Sequence, residues 1–520
     1  MSPLDVCDAS DFLEDAAHYP GGHAAGVVFP RSAEEVADTL AMAPAVLPIG
    51  AQSSVTGGAT PMGDLLISTS KLSHVIEVAP TRITVEAGVT VAAMQQALAS
   101  VGAWFPPAPT FTGACAGGIV ATNAAGAATF KYGSTRPWVQ ALTVVLADGT
   151  ILKLHRGRSI AAHGQLRFET RSGTVSVPVP TYVMPKVAKH SAGYYAAPDM
   201  DAVDLFIGSE GTLGVVTQVT FTALHPAPQF ALAFVTCSSE AVGLDLVRAL
   251  RDASLATWRS KDPAGIDASA IEHMDRRSLD IVREDGADAK YHVRIAADAQ
   301  LALLIQLELP TDITASRAYD EVQASMMPDA PDTALIRFCR LLNGFGLLEE
   351  TELAVPGDRR RAEQLIAIRE AIPAGVNYRV GQAKRTIDAR IAKTAGDMIV
   401  PFDRFAEMSR IYREGFERRG LDYAMWGHIS DGNVHPNVIP RSLDDVVRGK
   451  DAMLEFGLAA SRLGGSPLAE HGVGRNPVKQ ALVAHLYGAH GIEEMRGVKR
   501  ALDAGWKLAP GVIFPANAET

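Results

Sequence analysis

The sequence predicts an α+β protein of two or three domains, with a glycine-rich, weakly charged first half and a second half in which strands alternate with long helices. Three observations carry that expectation. The chain has 520 residues, room for more than one packed core, and its composition, 47% hydrophobic and 20% charged, is that of a globular protein. From Ala87 to Phe130 there is no Asp, Glu, Lys, Arg or His, so this stretch has no surface-like face, while its Gly, Pro and Asn exclude a membrane span. After about residue 226, apolar runs such as FALAFVTC and LALLIQLEL each precede a helical pattern, which suits an antiparallel sheet backed by long helices.

Charge and cysteine usage narrow the function classes. Acidic residues exceed basic ones by 58 to 48, and a net charge of −10 disfavours non-specific binding to nucleic acid or anionic membrane. Cys7, Cys115, Cys237 and Cys339 are far apart, without metal-type or disulfide-type spacing, so a reducing, cytoplasmic location is expected. The N-terminal MSPLDVCDASDFLEDAAHYP carries acidic residues where a signal peptide needs a basic flank. No uninterrupted run of about 18 apolar residues predicts a spanning helix. Peripheral association with the inner face of a membrane stays open.

Taken in order, GVVFPRSAEEVADTLAMA from Gly26 reads as a short strand followed by a helix opened by a Ser32/Glu35 capping box. The loop from Gly50 to Gly58 is small and uncharged, a form that brings backbone N–H groups close to phosphates, although an ordinary surface turn explains it better when it is taken alone. DLLISTSKL, VIEVAP and RITVEAGVTV read as strands, with Ala87-Gly88 as a close backbone approach, and VAAMQQALASVG as a helix. The uncharged PPAPTFTGACAGGIVATNAAG is then expected to pack around something large that needs backbone hydrogen bonds. ALTVVLADG is strand-like, and a Gly-rich turn leads into VVTQVTF. Between them, residues 155–180 hold LRFET and TVSVPV around Arg171-Ser172-Gly173, an extra hairpin that could be a lid, an oligomer contact or decoration.

In the second half, SRAYDEVQASM and FDRFAEMSRIYREGFERRG read as helices, and a further helix runs from a Ser442/Asp445 capping box to Gly464-Gly465. PVKQALVAHLYG and IEEMRGVKRALDAG are expected to return to the first domain. The expected division is residues 1–225, 226–470 and 471–520.

WGHISDGNVHPN, Trp426 to Asn437, places two histidines around Asp431-Gly432. Asp-Gly signals a two-residue type I′ turn, whose central positions need positive φ. Counting back from it pairs His428 with His435, on one face with Cβ atoms roughly 5 Å apart, a spacing that lets two imidazoles share a metal ion. Catalytic divalent ions usually take three protein ligands, and two His with one carboxylate is a recurrent set. Glu470, in the irregular loop PLAEHGVG, is the candidate carboxylate. Its neighbour His471 is expected to stay out of the ligand set and act as a base. The alternative is a plain hairpin with two half-exposed histidines beside an unrelated acidic loop.

Four segments, GAQSSVTGG, ITVEAGVTV, ATNAAG with KYGSTR, and GSEGTLGVVT, resemble in order and spacing the FAD-binding domain of the vanillyl-alcohol oxidase (PCMH) type, over roughly Ala24 to Thr222. The resemblance implies an α+β fold: a PCMH-type FAD-binding domain under a cap domain of antiparallel sheet plus helices. It implies that Pro48, Gly50, Ala51, Gln52, Ser53, Ser54, Thr56 and Gly57 wrap the FAD pyrophosphate. Adenine and isoalloxazine would then be lined by Pro107, Gly113, Gly117, Gly118, Ala121, Thr122, Asn123 and Gly126, by Tyr132 and Gly133, and by Glu210, Gly211, Gly214, Val215 and Val216. Some members attach FAD covalently through a His or Cys in the phosphate loop. Gln52 and Ser53 stand there, so non-covalent FAD is expected, and Cys115 is read as simply buried.

GHISDGNVHPN and EHGVG resemble the C-terminal half of the FAD-dependent D-2-hydroxy acid dehydrogenases, the branch containing D-lactate, glycolate and D-2-hydroxyglutarate dehydrogenases. That implies a divalent ion on His428, His435 and Glu470, commonly Zn2+ with Mn2+, Co2+ or Fe2+ as alternatives, and His471 as the base. The implied reaction is oxidation of a D-2-hydroxy acid to the 2-oxo acid by hydride transfer to the flavin. Arg369 in IAIREAI is the candidate for the substrate carboxylate, since a guanidinium fork matches a carboxylate; a solvated helix arginine is the alternative. Lys393 and Asn437 are further candidates for substrate contact. The family's C-terminal segment usually carries Asn-Pro-Gly, and here it reads APGVIFPAN, a departure at the tail. Implied partners are a small 2-hydroxy acid and an electron acceptor such as a quinone, cytochrome or electron-transfer flavoprotein, with homodimer formation left open. Two rivals remain: an alcohol or phenol oxidase on the same fold, and a non-catalytic flavin-binding subunit of a glycolate-oxidase-like complex.

Overall fold

The computed structural model describes residues 5–515. Strands Gly26–Val28, Val46–Ile49 and Leu65–Ser68 form a parallel sheet with Leu65–Ser68 in the middle. The helix Ala33–Met42 between the first two is capped as expected: Ser32 Oγ accepts the Glu35 N–H at 3.2 Å. The glutamate reaches one residue further back than a reciprocal box requires, accepting the Arg31 N–H at 2.7 Å. A five-stranded antiparallel sheet follows in the order Val75–Ala79, Arg82–Glu86, Val215–Thr222, Val139–Val145, Ile151–His155. The two sheets share a core that includes Leu47, Leu66, Ile83, Val85, Val144 and Phe221. Because Val215–Thr222 is a central strand, the glycine-rich turn before it is brought against the first loop: a Cβ on Gly211 would lie 3.3 Å from Pro48 Cγ. Gly88 is the close approach expected, since a Cβ there would meet the Thr69 carbonyl oxygen at 2.0 Å.

The extra hairpin forms from Gln165–Thr170 and Gly173–Pro178, joined at Arg171-Ser172. Its alternating Leu166, Phe168 and Val177 are buried in the core of the first two sheets, so it is part of that core.

The second half is a six-stranded antiparallel sheet in the order Thr351–Ala354, Gln229–Cys237, Leu301–Leu309, Ala268–Asp275, Tyr423–His428, Asn433–Val438. Helices cover both faces. Along Gln229–Cys237, Ala231, Ala233 and Val235 join a core with Leu246, Val247 and Leu250 of helix Glu240–Ser260. The intervening Leu232 and Phe234 join another with Leu279 of Arg276–Glu284 and Ile368, Ile372 and Val376 of Arg359–Thr386. Double burial is why these strands read as continuous apolar runs rather than alternating ones.

The expected hairpin register is corrected. Trp426 pairs with His435 and His428 with Asn433, because the connection is four residues long: a 3-10 turn Ile429–Asp431 followed by Gly432 at φ 84°. Asp431 is not at positive φ, and its carboxylate is buried 3.1 Å from Lys189 Nζ, while a Cβ on Gly432 would strike the Val400 carbonyl oxygen at 2.0 Å. Those tertiary contacts replace the type I′ turn. Since strand side chains have a period of two, His428 and His435 become diagonal neighbours on the same face.

The two expected C-terminal helices form within Pro477–Leu502, separated at Gly488, whose backbone is non-helical (φ 67°, ψ 177°). The chain then adds to the parallel sheet: Val46 N–H donates to the Lys507 carbonyl (2.8 Å), and Ala509 N–H donates to the Val46 carbonyl (2.7 Å). Phe514 packs edge-on against Tyr194 and Trp506. Asn517, the end of the departing tail segment, lies outside the described residues, as does the chain before Asp5. Among the described residues no helix is long and apolar enough to cross a membrane.

Candidate active site

A cavity of about 1160 Å³ lies between the two halves, larger than the roughly 300–1,000 Å³ of common small-ligand sites. One wall is made of the glycine-rich segments. Pro48, Gly50, Ala51, Gln52, Ser53 and Ser54 line it from the first loop, Gly117, Gly118, Ala121 and Thr122 from the uncharged stretch, and Glu210, Gly211, Gly214, Val215 and Val216 from the later turn. A Cβ on Gly118 would meet no heavy atom within 4 Å, so backbone there faces open space that a bound group can fill. Cys115 also lines the cavity, and burial pushes its thiol up.

Other residues expected at the cofactor lie behind this wall. Gly474 packs against Thr56, where a Cβ would meet Thr56 Oγ1 at 2.2 Å, and Gly57 packs on the Tyr19 ring. A Cβ on Gly113 would meet the Phe111 ring, and one on Gly126 the Ala108 carbonyl. Asn123 Oδ1 accepts the Arg136 N–H at 3.0 Å, and Gly133 ends the short helix Thr129–Tyr132. The Tyr132 hydroxyl donates to Glu308 Oε2 across the two halves at 2.7 Å. Pro107 is buried and does not line the cavity.

The opposite wall carries Arg369, Lys393, His428, His435, Asn437, Glu470 and His471. Three imidazoles converge on one oxygen: Glu470 Oε1 lies 3.3 Å from His428 Nε2, 3.1 Å from His435 Nε2 and 3.4 Å from His471 Nε2. Ring centroids are 5.7 Å apart for His428 and His435, and 4.7 Å for His435 and His471. Adjacency to Glu470 therefore does not hold His471 away: both side chains reach the same place, where Asp397 Oδ2 accepts the backbone N–H of each. One ligand atom from each of Asp397, His435, Glu470 and His471 lies within 4.8 Å of the others, a grouping of metal-ligand types that shares His435 and Glu470 with the expected set and leaves out His428.

Behind each imidazole stands a carboxylate. Glu272, the register partner of His428 on the neighbouring strand, accepts from its Nδ1. Asp397 lies 3.7 Å from His435 Nδ1 and 3.5 Å from His471 Nδ1, and its Oδ2 accepts the backbone N–H of Glu470 (3.0 Å) and His471 (2.8 Å). Burial alone would lower the His428 pKa, but Glu272 outweighs it and holds the ring up at about 9. Burial pushes His435 down to about 4. Burial raises the carboxyl pKa of Glu470 and Glu272 in isolation, yet the neighbouring cations and imidazoles hold both well below the ordinary range.

Arg369 pairs through Nε with Glu272 Oε2 at 2.6 Å, and among the described residues neither of its Nη atoms has a protein partner. Lys393 donates to Asn377 Oδ1 at 2.9 Å, and burial pushes it down to about 8. Asn437 donates to the His435 carbonyl at 2.9 Å, and its buried Oδ1 has no partner among the described residues. Glu210 accepts the N–H groups of Val473 (2.7 Å) and Gly474 (2.8 Å), tying the Glu470 loop to the glycine-rich wall.

Lys189, Glu272 and Asp397 escaped the sequence reading. Glu272 had a signal, a Glu-His pair inside the apolar strand ASAIEHMD, since a buried charge on a core strand needs a partner. Asp397 begins the apolar DMIVP in the same way. Lys189 lies in an aperiodic segment and had none.

Residues 24–155 match the family of FAD binding domains, and residues 238–513 match the C-terminal domain of FAD linked oxidases. The chain is 27% identical to a D-2-hydroxyglutarate dehydrogenase of Xanthomonas citri pv. viticola, over 94% of this chain and 89% of that protein. It is 26% identical to glycolate oxidase subunit GlcD of Bacillus subtilis (95% and 89% covered) and 26% identical to a D-lactate dehydrogenase of Archaeoglobus fulgidus (94% and 90% covered). A solved alkyldihydroxyacetonephosphate synthase shares the fold, with a TM-score of 0.55 at 15% identity over 93% of this chain and 76% of that one. With a glycine-rich wall facing a cluster of buried acid, base and imidazole groups, and with a family match spanning 238–513, the chain belongs to the FAD-linked oxidases and is an oxidoreductase.

Proposed function

We propose that the protein oxidises a D-2-hydroxy acid to the 2-oxo acid, with non-covalent FAD as the immediate electron acceptor and a divalent metal ion at His428, His435 and Glu470. The observation that carries this reading is the convergence of three imidazole Nε2 atoms on Glu470 Oε1, in the wall of the cavity that the glycine-rich loops also line. Relatives named for D-2-hydroxyglutarate, glycolate and D-lactate supply the substrate class.

The donor set fits a divalent ion. Glu272 engages His428 Nδ1 and so presents Nε2 inward, the way an outer carboxylate orients a ligating imidazole. Buried Asp397 Oδ1 and His435 Nδ1 lack hydrogen-bond partners among the described residues, polar capacity that a fully formed site would use. When bound, FAD supplies the acceptor for the α-hydrogen as hydride, and the metal ion supplies Lewis-acid polarisation of the substrate oxygens. Arg369 offers its free Nη fork to the substrate carboxylate, and Lys393 and Asn437 bound the same space. His471 Nε2 takes the hydroxyl proton; at 28% side-chain exposure it is the most accessible of the three imidazoles, and so the one best able to pass that proton to solvent.

The test is anaerobic mixing of the FAD-loaded protein with a panel of D- and L-2-hydroxy acids, following flavin absorbance. Bleaching by D-enantiomers and not by L-enantiomers is the expected result. A flavin that no hydroxy acid reduces would reject the reading and leave the alcohol or phenol oxidase and the non-catalytic subunit in its place.

A further inference from the structure

The reaction above leaves the buried Lys189 without a task. Lys189 comes from the aperiodic segment between the extra hairpin and the helix Ala202–Phe206, and its side chain is 0% exposed. Its Nζ lies 2.7 Å from Glu470 Oε2 and 3.1 Å from Asp431 Oδ2. Asp431 belongs to the loop that joins the two histidine strands, while Glu470 belongs to a separate loop, so a single ammonium from the first half ties both together.

The backbone of Glu470 is already fixed, because its N–H donates to Asp397 Oδ2 at 3.0 Å. The carboxylate is not fixed by that bond, since the terminal torsion of a glutamate is broad and roughly two-fold. The bond from Lys189 to Oε2 selects one orientation, and in it Oε1 faces the three Nε2 atoms.

We propose that Lys189 is a positioning residue: by holding Glu470 Oε2 it makes Glu470 offer a bound divalent ion one oxygen instead of two. This rests on the reading of Glu470 as a metal ligand. A one-oxygen carboxylate with two imidazoles is a three-donor set that leaves a fourth position open, which suits four-coordinate Zn2+ or Co2+. A carboxylate free to bind through both oxygens suits ions of higher coordination number, such as Mn2+. Lys189 is thereby a determinant of which metal the site prefers.

Removing the lysine alone would leave two buried carboxylates uncompensated, so the informative variant is the double substitution Lys189→Met with Asp431→Asn. Co2+ titrated into the FAD-loaded protein reports through its ligand-field bands, to the red of oxidised flavin. The double variant is expected to keep FAD and its melting temperature and to bind Co2+ about 10- to 100-fold more weakly, the usual cost of losing an outer-shell partner. Its bands should weaken as the coordination number rises, and its preference for Co2+ over Mn2+ should shrink. Asp431→Asn alone keeps the bond from Lys189 to Glu470 and is expected to give the wild-type spectrum.

Wild-type Co2+ affinity and spectrum in the double variant would overturn the inference and leave the proposed function standing. Should the double variant not fold, Asp431→Asn decides: a changed Co2+ spectrum there overturns the proposal. If the wild type binds no Co2+ while its flavin is still reduced by a hydroxy acid, Glu470 is not a metal ligand. The metal part of the proposed function then falls, and the role of Lys189 falls with it.

Discussion

Glu272 and His428 are cross-strand partners on adjacent antiparallel strands, and the carboxylate accepts from the imidazole Nδ1. The pair fixes the ring so that Nε2 points at Glu470, and it stores a proton, since Glu272 holds His428 up at about 9 against the lowering effect of burial. His435, pushed down to about 4 by burial, is neutral under the same conditions.

A pH dependence follows from that pair. A ring raised from 6.5 to about 9 contributes stability that is fully present below 6.5 and is lost as pH rises through 9. In metal-free protein the melting-temperature gap between wild type and His428→Gln should therefore shrink between those pH values. Ion binding must displace the ring proton, so Zn2+ binding at pH 7 should release about one proton, measurable by calorimetry in buffers of different ionisation enthalpy. Glu272→Gln should reduce both the proton release and, by about 10- to 100-fold, the affinity. An unchanged proton release in Glu272→Gln would show that the pair does not control the ring.

The three imidazoles, at 3.3, 3.1 and 3.4 Å from the same oxygen, must be separated by experiment. His428→Ala and His435→Ala are expected to lose metal and activity together, because each removes one of three ligands. His471→Ala should keep FAD and metal and slow flavin reduction by about 10² to 10⁴-fold, as loss of a general base does. Equal metal loss in all three variants, read by elemental analysis, would place His471 in the ligand set.

Arg369 is bound to Glu272 through Nε, and among the described residues its Nη groups have no protein partner. Arg369→Lys should raise the substrate concentration for half-maximal flavin reduction, since a point charge cannot serve the glutamate and a carboxylate fork together. The loss of one charged hydrogen bond, about 1.5–3 kcal/mol, corresponds to roughly 10- to 150-fold. A lysine variant with wild-type saturation would return Arg369 to a purely structural role.

Gln52 and Ser53 stand in the cavity wall where covalent attachment would need a His or Cys. Acid precipitation is expected to release the flavin as FAD into a yellow supernatant, and Cys115→Ser should not alter that release. Flavin that stays with the precipitated wild type but not with Cys115→Ser would identify a thiol linkage.

Local chemistry made much of this legible in advance. Ser32 and Ser442 cap their helices because the N-cap interaction needs only residues three positions apart, and both hydroxyls accept the expected N–H groups. The uncharged stretch and the glycines around Gly50 and Gly211 announced a wall of backbone, and they line the cavity. That His428 and His435 share a face followed from strand parity alone. Their register did not, because the turn is decided by the burial of Asp431 against Lys189 and of Gly432 against Val400, contacts made by residues distant in sequence. Lys189 was invisible as a site residue for the same reason, and Glu272 and Asp397, though marked as charges in apolar runs, could not be assigned their partners. A buried charge is chosen by the partner it meets across the fold, and sequence spacing carries no information about a partner tens to hundreds of residues away that only tertiary packing brings to about 3 Å, within the second half for Glu272 and Asp397 and between the halves for Lys189.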